Sequence, residues 1–104
     1  MIKKFEDIKF VDTDIPKGIQ ALIPFGEYEL SIVCNEMSYG GKNDGTLYEI
    51  GVFKGDKMVE LPGITEEGDN IKGFLNEDAV MGILKKMTAI TKEDPVNIVD
   101  TIPY

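Results

Sequence analysis

The chain has 104 residues, of which 42% are apolar, a length and composition typical of one globular domain rather than a disordered protein. Its 11 basic and 19 acidic residues give a formal net charge of −8, which opposes binding to nucleic acid because phosphate contacts need Lys and Arg. A single cysteine rules out an intrachain disulfide, and the lack of histidine removes the Ser-His and Cys-His catalytic arrangements and the usual zinc sites.

The first 18 residues carry no sustained periodicity, and we expect them to form an extended lead-in. Apolar residues at three-residue spacing, Ile2, Phe5 and Ile8, could support one helical turn, and residues 9–13 could equally form a short strand. No apolar core follows Lys3 and Lys4, so the segment does not read as a signal peptide. No run approaches the ~20 apolar residues of a membrane span, and the predicted location is the cytoplasm.

An apolar run predicts a strand at 19–23, alternating apolar and polar residues predict strands at 27–35 and 46–53, and a further short strand is predicted at 58–61. Cys34 falls on the apolar side of the second of these and is interpreted as a small core residue. Turn residues separate the strands, and none of the gaps has room for a crossover helix, so the strands are predicted to be antiparallel neighbours in a meander. Residues 65–70 are polar and acidic and are predicted to form a loop or a single turn, with Ile71, Phe74 and Leu75 anchoring it to the core.

One amphipathic helix is predicted at about 77–90. Asn76 is a favourable N-cap, and Glu77 and Asp78 lie in the first turn, where the helix dipole stabilises negative charge. The apolar stripe of this helix has the spacing i, i+3, i+4, i+7 and contains Val80, Ile83, Leu84, Met87 and Ile90. Residues 91–104 are expected to form a tail or an edge strand. The predicted fold is therefore a single α+β domain over 1–104, with an antiparallel β-meander of three to five strands packed against this helix.

A single helix cannot cover both faces of such a sheet. If the strand register brings the polar faces together, Glu27, Glu29 and Glu49 lie on the uncovered face, and Glu60 could join them. Three interpretations compete. The face is a solvated surface, or it binds the Lys and Arg residues of a partner protein, or it is a site for a divalent metal or for carboxylate catalysis.

The glycine-rich loop at 38–45 is the second candidate region, because exposed loops often carry function. Its binding candidates are Tyr39, Lys42 and Asp44. Asn43-Asp44-Gly45 is interpreted as turn chemistry, because the alternating oxygen ligands and closing glutamate of a calcium loop are missing. Gly40-Gly41-Lys42 lacks the spacing of a phosphate-binding loop and no helix follows it.

The order of residues over about 25–87 resembles a group of small, uncharacterised proteins encoded by bacteriophages and prophages. The residues that carry this resemblance are Ser31-Ile32-Val33, Tyr39-Gly40-Gly41, Gly45, Leu47-Tyr48-Glu49, Val52, Ile64-Thr65, Ile71, Gly73-Phe74-Leu75, Glu77 and Val80. The two ends of the chain do not match. The group has no established activity, so the resemblance implies a phage context and assigns no functional residues.

These observations favour a non-enzymatic phage accessory protein that binds and modulates a host protein. The expected partner is a basic or nucleic-acid-binding host protein, bound through the acidic sheet face and the glycine-rich loop. No cofactor, metal, membrane or direct nucleic-acid contact is expected. The first alternative is a structural or assembly protein that associates with itself through an exposed edge strand, and the second is a small metal-dependent enzyme.

Overall fold

A computed structural model describes residues 2–14, 17–35 and 47–96. These residues form a six-stranded antiparallel sheet and one long α-helix, which confirms the α+β class. The elements in chain order are β1 (Val11–Asp14), β2 (Lys17–Phe25), β3 (Tyr28–Asn35), β4 (Tyr48–Lys54), β5 (Lys57–Val59), β6 (Ile71–Leu75) and α1 (Glu77–Thr91).

The first five strands lie side by side in chain order, as the predicted meander requires. The sixth, β6, pairs with β4 on the side opposite β3, next to the shorter β5. Two-residue turns join β2 to β3 and β4 to β5, and their first residues, Gly26 and Gly55, have φ of 65° and 67°. Glycine adopts this left-handed conformation without the steric cost that a Cβ atom brings, so these turns follow directly from the sequence.

The N-terminal lead-in contains both the helical turn and the short strand that the sequence offered as alternatives. A single 3-10 turn at Phe5–Asp7 precedes the edge strand β1. The Phe5 ring centroid lies 5.2 Å from that of Tyr48, and the Phe10 ring centroid lies 5.8 Å from it. These tilted aromatic contacts attach the lead-in to the same sheet face that the helix covers.

The loop predicted at 65–70 is present, and the strand β6 follows it at residues that were expected only to anchor this loop to the core. Leu75 is buried as predicted, but the prediction that Phe74 anchors to the core is wrong, because its side chain is 67% exposed. The register with β4 runs from Ile50–Lys72 to Tyr48–Leu75, so β6 contains one extra residue in a β-bulge. Phe74 lies in this bulge with φ of 59°. Because the bulge interrupts the alternation of β6, the Phe74 side chain lies on the side of the sheet away from the core.

The core lies between α1 and one face of the sheet. Asn76 caps the helix by accepting a hydrogen bond from the Ala79 amide at 2.8 Å, as its sequence position predicts. The buried stripe is confirmed except for Ile90, which is 44% exposed in the last turn of the helix. The sheet residues of this core include Ala21, Ile23, Phe25, Leu30, Ile32, Cys34, Tyr48, Ile50 and Val52.

Gly82 is expected to limit the stability of α1. A Cβ atom built at this position would meet no atom within 4 Å, so alanine fits without rearrangement. We expect Gly82→Ala to raise the free energy of unfolding by about 0.5–1 kcal/mol, because alanine loses less conformational entropy on entering a helix. Urea denaturation followed by circular dichroism measures this as a higher midpoint with an unchanged slope.

Gly68→Ala is the control for that substitution. Gly68 also has open space around its Cβ position, but its φ is 88°, where an L side chain is strained. We expect this variant to be destabilised. A midpoint that falls in Gly82→Ala, or rises equally in both variants, would contradict the explanation by helix propensity.

Candidate functional site

The sheet face opposite α1 is the candidate site, and we call it the outer face. Strand register identifies its members, because residues paired across neighbouring strands project to the same side. It comprises Gln20, Leu22 and Pro24 of β2, Glu29, Ser31 and Val33 of β3, Glu49, Gly51 and Phe53 of β4, Met58 of β5 and Ile71 of β6. Among the residues that the structure describes, the helix and the 3-10 turn both pack on the other face.

Two of the predicted glutamates, Glu29 and Glu49, share the outer face. Glu29 pairs with Phe53, and Glu49 pairs with Val33, so the two carboxylates belong to positions four residues apart along the strands. At ~3.4 Å per residue this is roughly 14 Å of backbone. Both side chains are half-buried. The face therefore carries two separated negative charges rather than one dense carboxylate cluster.

Glu27 does not lie on the outer face with Glu29 and Glu49. It lies in the turn between β2 and β3, where its Oε1 atom is 3.1 Å from Lys54 Nζ. This hydrogen bond raises the pKa of Lys54, and the same Nζ lies 6.0 Å from the ring centroid of Tyr28. Glu27 is thus paired with a cation at the end of the sheet, away from Glu29 and Glu49.

Glu60 also differs from its predicted place on the acidic face. It follows β5, and its carboxylate accepts a hydrogen bond from the amide of Gly68. Its role is to close the loop before β6. Within the described part of the chain, no group of three or more Asp, Glu or Cys side chains is arranged to hold a metal ion.

The apolar part of the outer face was not singled out from the sequence. Met58 is 39% exposed, and Phe53 and Val33 are half-buried. A Cβ atom on Gly51 would lie 2.6 Å from Met58 Cε, so the glycine makes room for the methionine to lie flat on β4. The sequence of β4 already indicated this apolar part, since Phe53 is four residues from Glu49 and therefore lies on the same face of the strand.

The centre of the outer face is more tightly packed than its margins. Leu22 and Ser31 pair across β2 and β3 and are only 2% and 6% exposed. Gln20 Nε2 donates a hydrogen bond to Ser31 Oγ at 2.9 Å, which satisfies this buried hydroxyl. Leu22 lies outside the cluster beneath the helix, so it forms a separate apolar centre for this face.

The loop candidates Tyr39, Lys42 and Asp44 lie outside the described residues. Their segment joins β3 to β4, the two strands that carry Glu29 and Glu49. No helix within residues 2–14, 17–35 and 47–96 has the length and apolar character needed to cross a membrane. Comparisons of the chain with protein-family models, with curated proteins and with solved structures found no match.

Proposed function

We propose that this chain is a non-enzymatic binding protein whose outer face docks onto a basic protein partner. The observation that carries the proposal is the composition of that face. Partly exposed Phe53, Met58 and Val33 surround a tightly packed centre, and Glu29 and Glu49 stand near opposite ends of it. An apolar area with charges toward its margin is typical of a protein-binding surface.

The two kinds of side chain have different roles in this proposal. Burial of Phe53 and Met58 against a partner supplies most of the affinity, because apolar area is removed from water. Glu29 and Glu49, on a chain with a net charge of −8, attract basic residues, raise the association rate and disfavour acidic partners. In the phage context that the resemblance implies, the partner would be a nucleic-acid-binding host protein, met in the host cytoplasm.

Self-association through strand edges is the rival function, and the described edges oppose it. The edge strand β1 has four residues and carries Asp12 and Asp14. At the other edge, β6 is interrupted by the bulge at Phe74. Short strands, charges and bulges are the features that prevent sheets from pairing edge to edge. The possible edge strand at 91–104 is not formed at 92–96, and its remainder lies outside the described residues.

Charge reversal on the outer face tests the proposal. The variant Glu29→Lys/Glu49→Lys and a control, Glu6→Lys/Asp94→Lys, change the net charge equally, and the control residues are exposed away from the outer face. Each immobilised protein is exposed to lysate of a candidate host at low and high salt, and the retained protein is purified for measurements of affinity. We expect one basic protein to be retained at low salt and its affinity to fall at least about tenfold in the first variant.

The control variant should bind this partner within about threefold of the unaltered protein, because its substitutions change net charge without touching the docking surface. Equal losses in both variants would mean that overall charge, not the outer face, governs retention. A partner whose binding is unaffected by either variant would contradict the proposal directly.

A further inference from the structure

A second candidate site lies on the other side of the molecule, where the N-terminal segment meets α1. It is a half-open cleft of about 330 Å³, lined by Ile2, Lys3, Met81, Leu84, Lys85, Thr88 and Pro95. This volume is at the lower end of the range for small-molecule sites. The cleft shares no residue with the outer face, so it is independent of the proposed function.

The walls of the cleft are held in place by backbone hydrogen bonds. The amide of Ile2 donates to the carbonyl of Pro95 at 3.0 Å, which joins the start of the chain to the segment after α1. The Asp7 carboxylate accepts from the amides of Lys3 and Lys4 at 3.0 and 3.2 Å. The hydrogen bond from Lys3 is the main reason that the pKa of Asp7 is lowered. These hydrogen bonds fix the position of the Lys3 backbone.

The interior of the cleft is apolar. Leu84 and Ile2 are 1% and 6% exposed, and Met81 is half-buried beside them. Thr88 contributes few free polar atoms, because its hydroxyl donates to the Leu84 carbonyl at 3.1 Å within the helix. A ligand that enters this space meets hydrocarbon and has little to hydrogen-bond until it reaches the rim.

Two cations stand at the rim of this apolar space. Lys3 and Lys85 come from different elements and are both exposed, and neither forms a salt bridge with a carboxylate of the described residues. Among the described residues that line the cleft, these two lysines carry charge and no carboxylate does, although the protein has 19 acidic residues. Cationic rims with apolar interiors complement molecules that have an anionic head and a hydrocarbon tail.

We propose that this cleft binds a single-chain amphiphile with one carboxylate head, in the size range of a medium-chain fatty acid. The alkyl chain lies against Leu84, Met81 and Ile2, and the carboxylate lies between the ammonium groups of Lys3 and Lys85. The volume of about 330 Å³ matches a short single alkyl chain better than a multi-ring ligand or a diacyl lipid. A membrane lipid would present a similar anionic head, so vesicles with anionic headgroups serve as a comparison in the test.

Calorimetric titration of the full chain with hexanoate, octanoate and decanoate, each below its aggregation concentration, measures the tail contribution. Burial of one methylene tightens binding about fourfold, so we expect the dissociation constant to fall roughly sixteenfold for each two-carbon step until the cleft is full. Octanol should bind more weakly than octanoate, and octylammonium more weakly than octanol. No saturable binding, or no dependence on chain length, would overturn the proposal.

Matched substitutions measure the head contribution. Lys3→Gln/Lys85→Gln should weaken octanoate roughly tenfold and leave octanol unchanged, because only the carboxylate contacts the ammonium groups. Lys4→Gln/Lys86→Gln is the control, since it changes the net charge equally and both residues are exposed, next in sequence to Lys3 and Lys85, and do not line the cleft. Equal effects of both variants on octanoate, or binding to anionic vesicles without binding to octanoate, would contradict a site at this cleft.

Discussion

Replacing Phe25 with alanine is expected to lower the free energy of unfolding by about 3–5 kcal/mol. Phe25 is 0% exposed and ends β2, paired with Tyr28 and packed in the cluster between sheet and helix. The truncation leaves a cavity that rigid neighbours cannot close, so both transfer energy and packing contacts are lost. Because a domain of this size has about 5–15 kcal/mol of total stability, urea denaturation should show a large fall in midpoint.

Phe74→Ala is the matched control for this substitution. The same atoms are removed, but the Phe74 side chain is 67% exposed and little of its surface is buried on folding. We expect its cost to be well below half of that for Phe25→Ala. Similar costs for the two variants would mean that side-chain burial in the core does not set the stability of this protein.

Replacing Gly18 with alanine is expected to destabilise the sheet by about 3 kcal/mol or more, the upper part of the range for overpacking. A Cβ atom at Gly18 would lie 2.4 Å from both Asn35 Cβ and the Cys34 carbonyl oxygen. These atoms belong to the backbone and first side-chain carbon of β3, which cannot rotate away. Gly18 also pairs with Thr13 on its other side, so β2 cannot move without disturbing β1.

The comparison for this variant is Gly51→Ala. A Cβ atom at Gly51 would also approach too closely, at 2.6 Å, but the neighbour is the terminal methyl group of Met58. A flexible methionine can change rotamer, so we expect a cost of less than about 1 kcal/mol. Both variants are compared by thermal unfolding under identical conditions. A larger loss at Gly51 than at Gly18 would contradict the explanation by backbone clash.

Local patterns in the chain were sufficient to predict the helix and the turns. The N-cap contact of Asn76 joins residues three apart, and the turns at Gly26 and Gly55 depend on glycine's tolerance of positive φ. The alternation in β3 likewise placed Cys34 in the core and Glu29 on the opposite side of the strand, whereas the register between β3 and β4 brought Glu49 to the same face. All of these features follow from interactions between residues close in sequence, or from the two-residue period of a strand.

Tertiary structure decided the features that join distant parts of the chain. The pairing with β4 made a strand, β6, of residues that were expected only to anchor the preceding loop, and its bulge exposed Phe74. Glu27, one of three expected acidic side chains, lies in the turn between β2 and β3 and pairs with Lys54 instead of joining the candidate surface. The cleft lined by Lys3 lies where the N-terminal segment meets α1 and is hydrogen-bonded to the segment after this helix. Sequence periodicity reports which way a side chain faces within its own element, whereas these contacts depend on which elements become neighbours when the core closes.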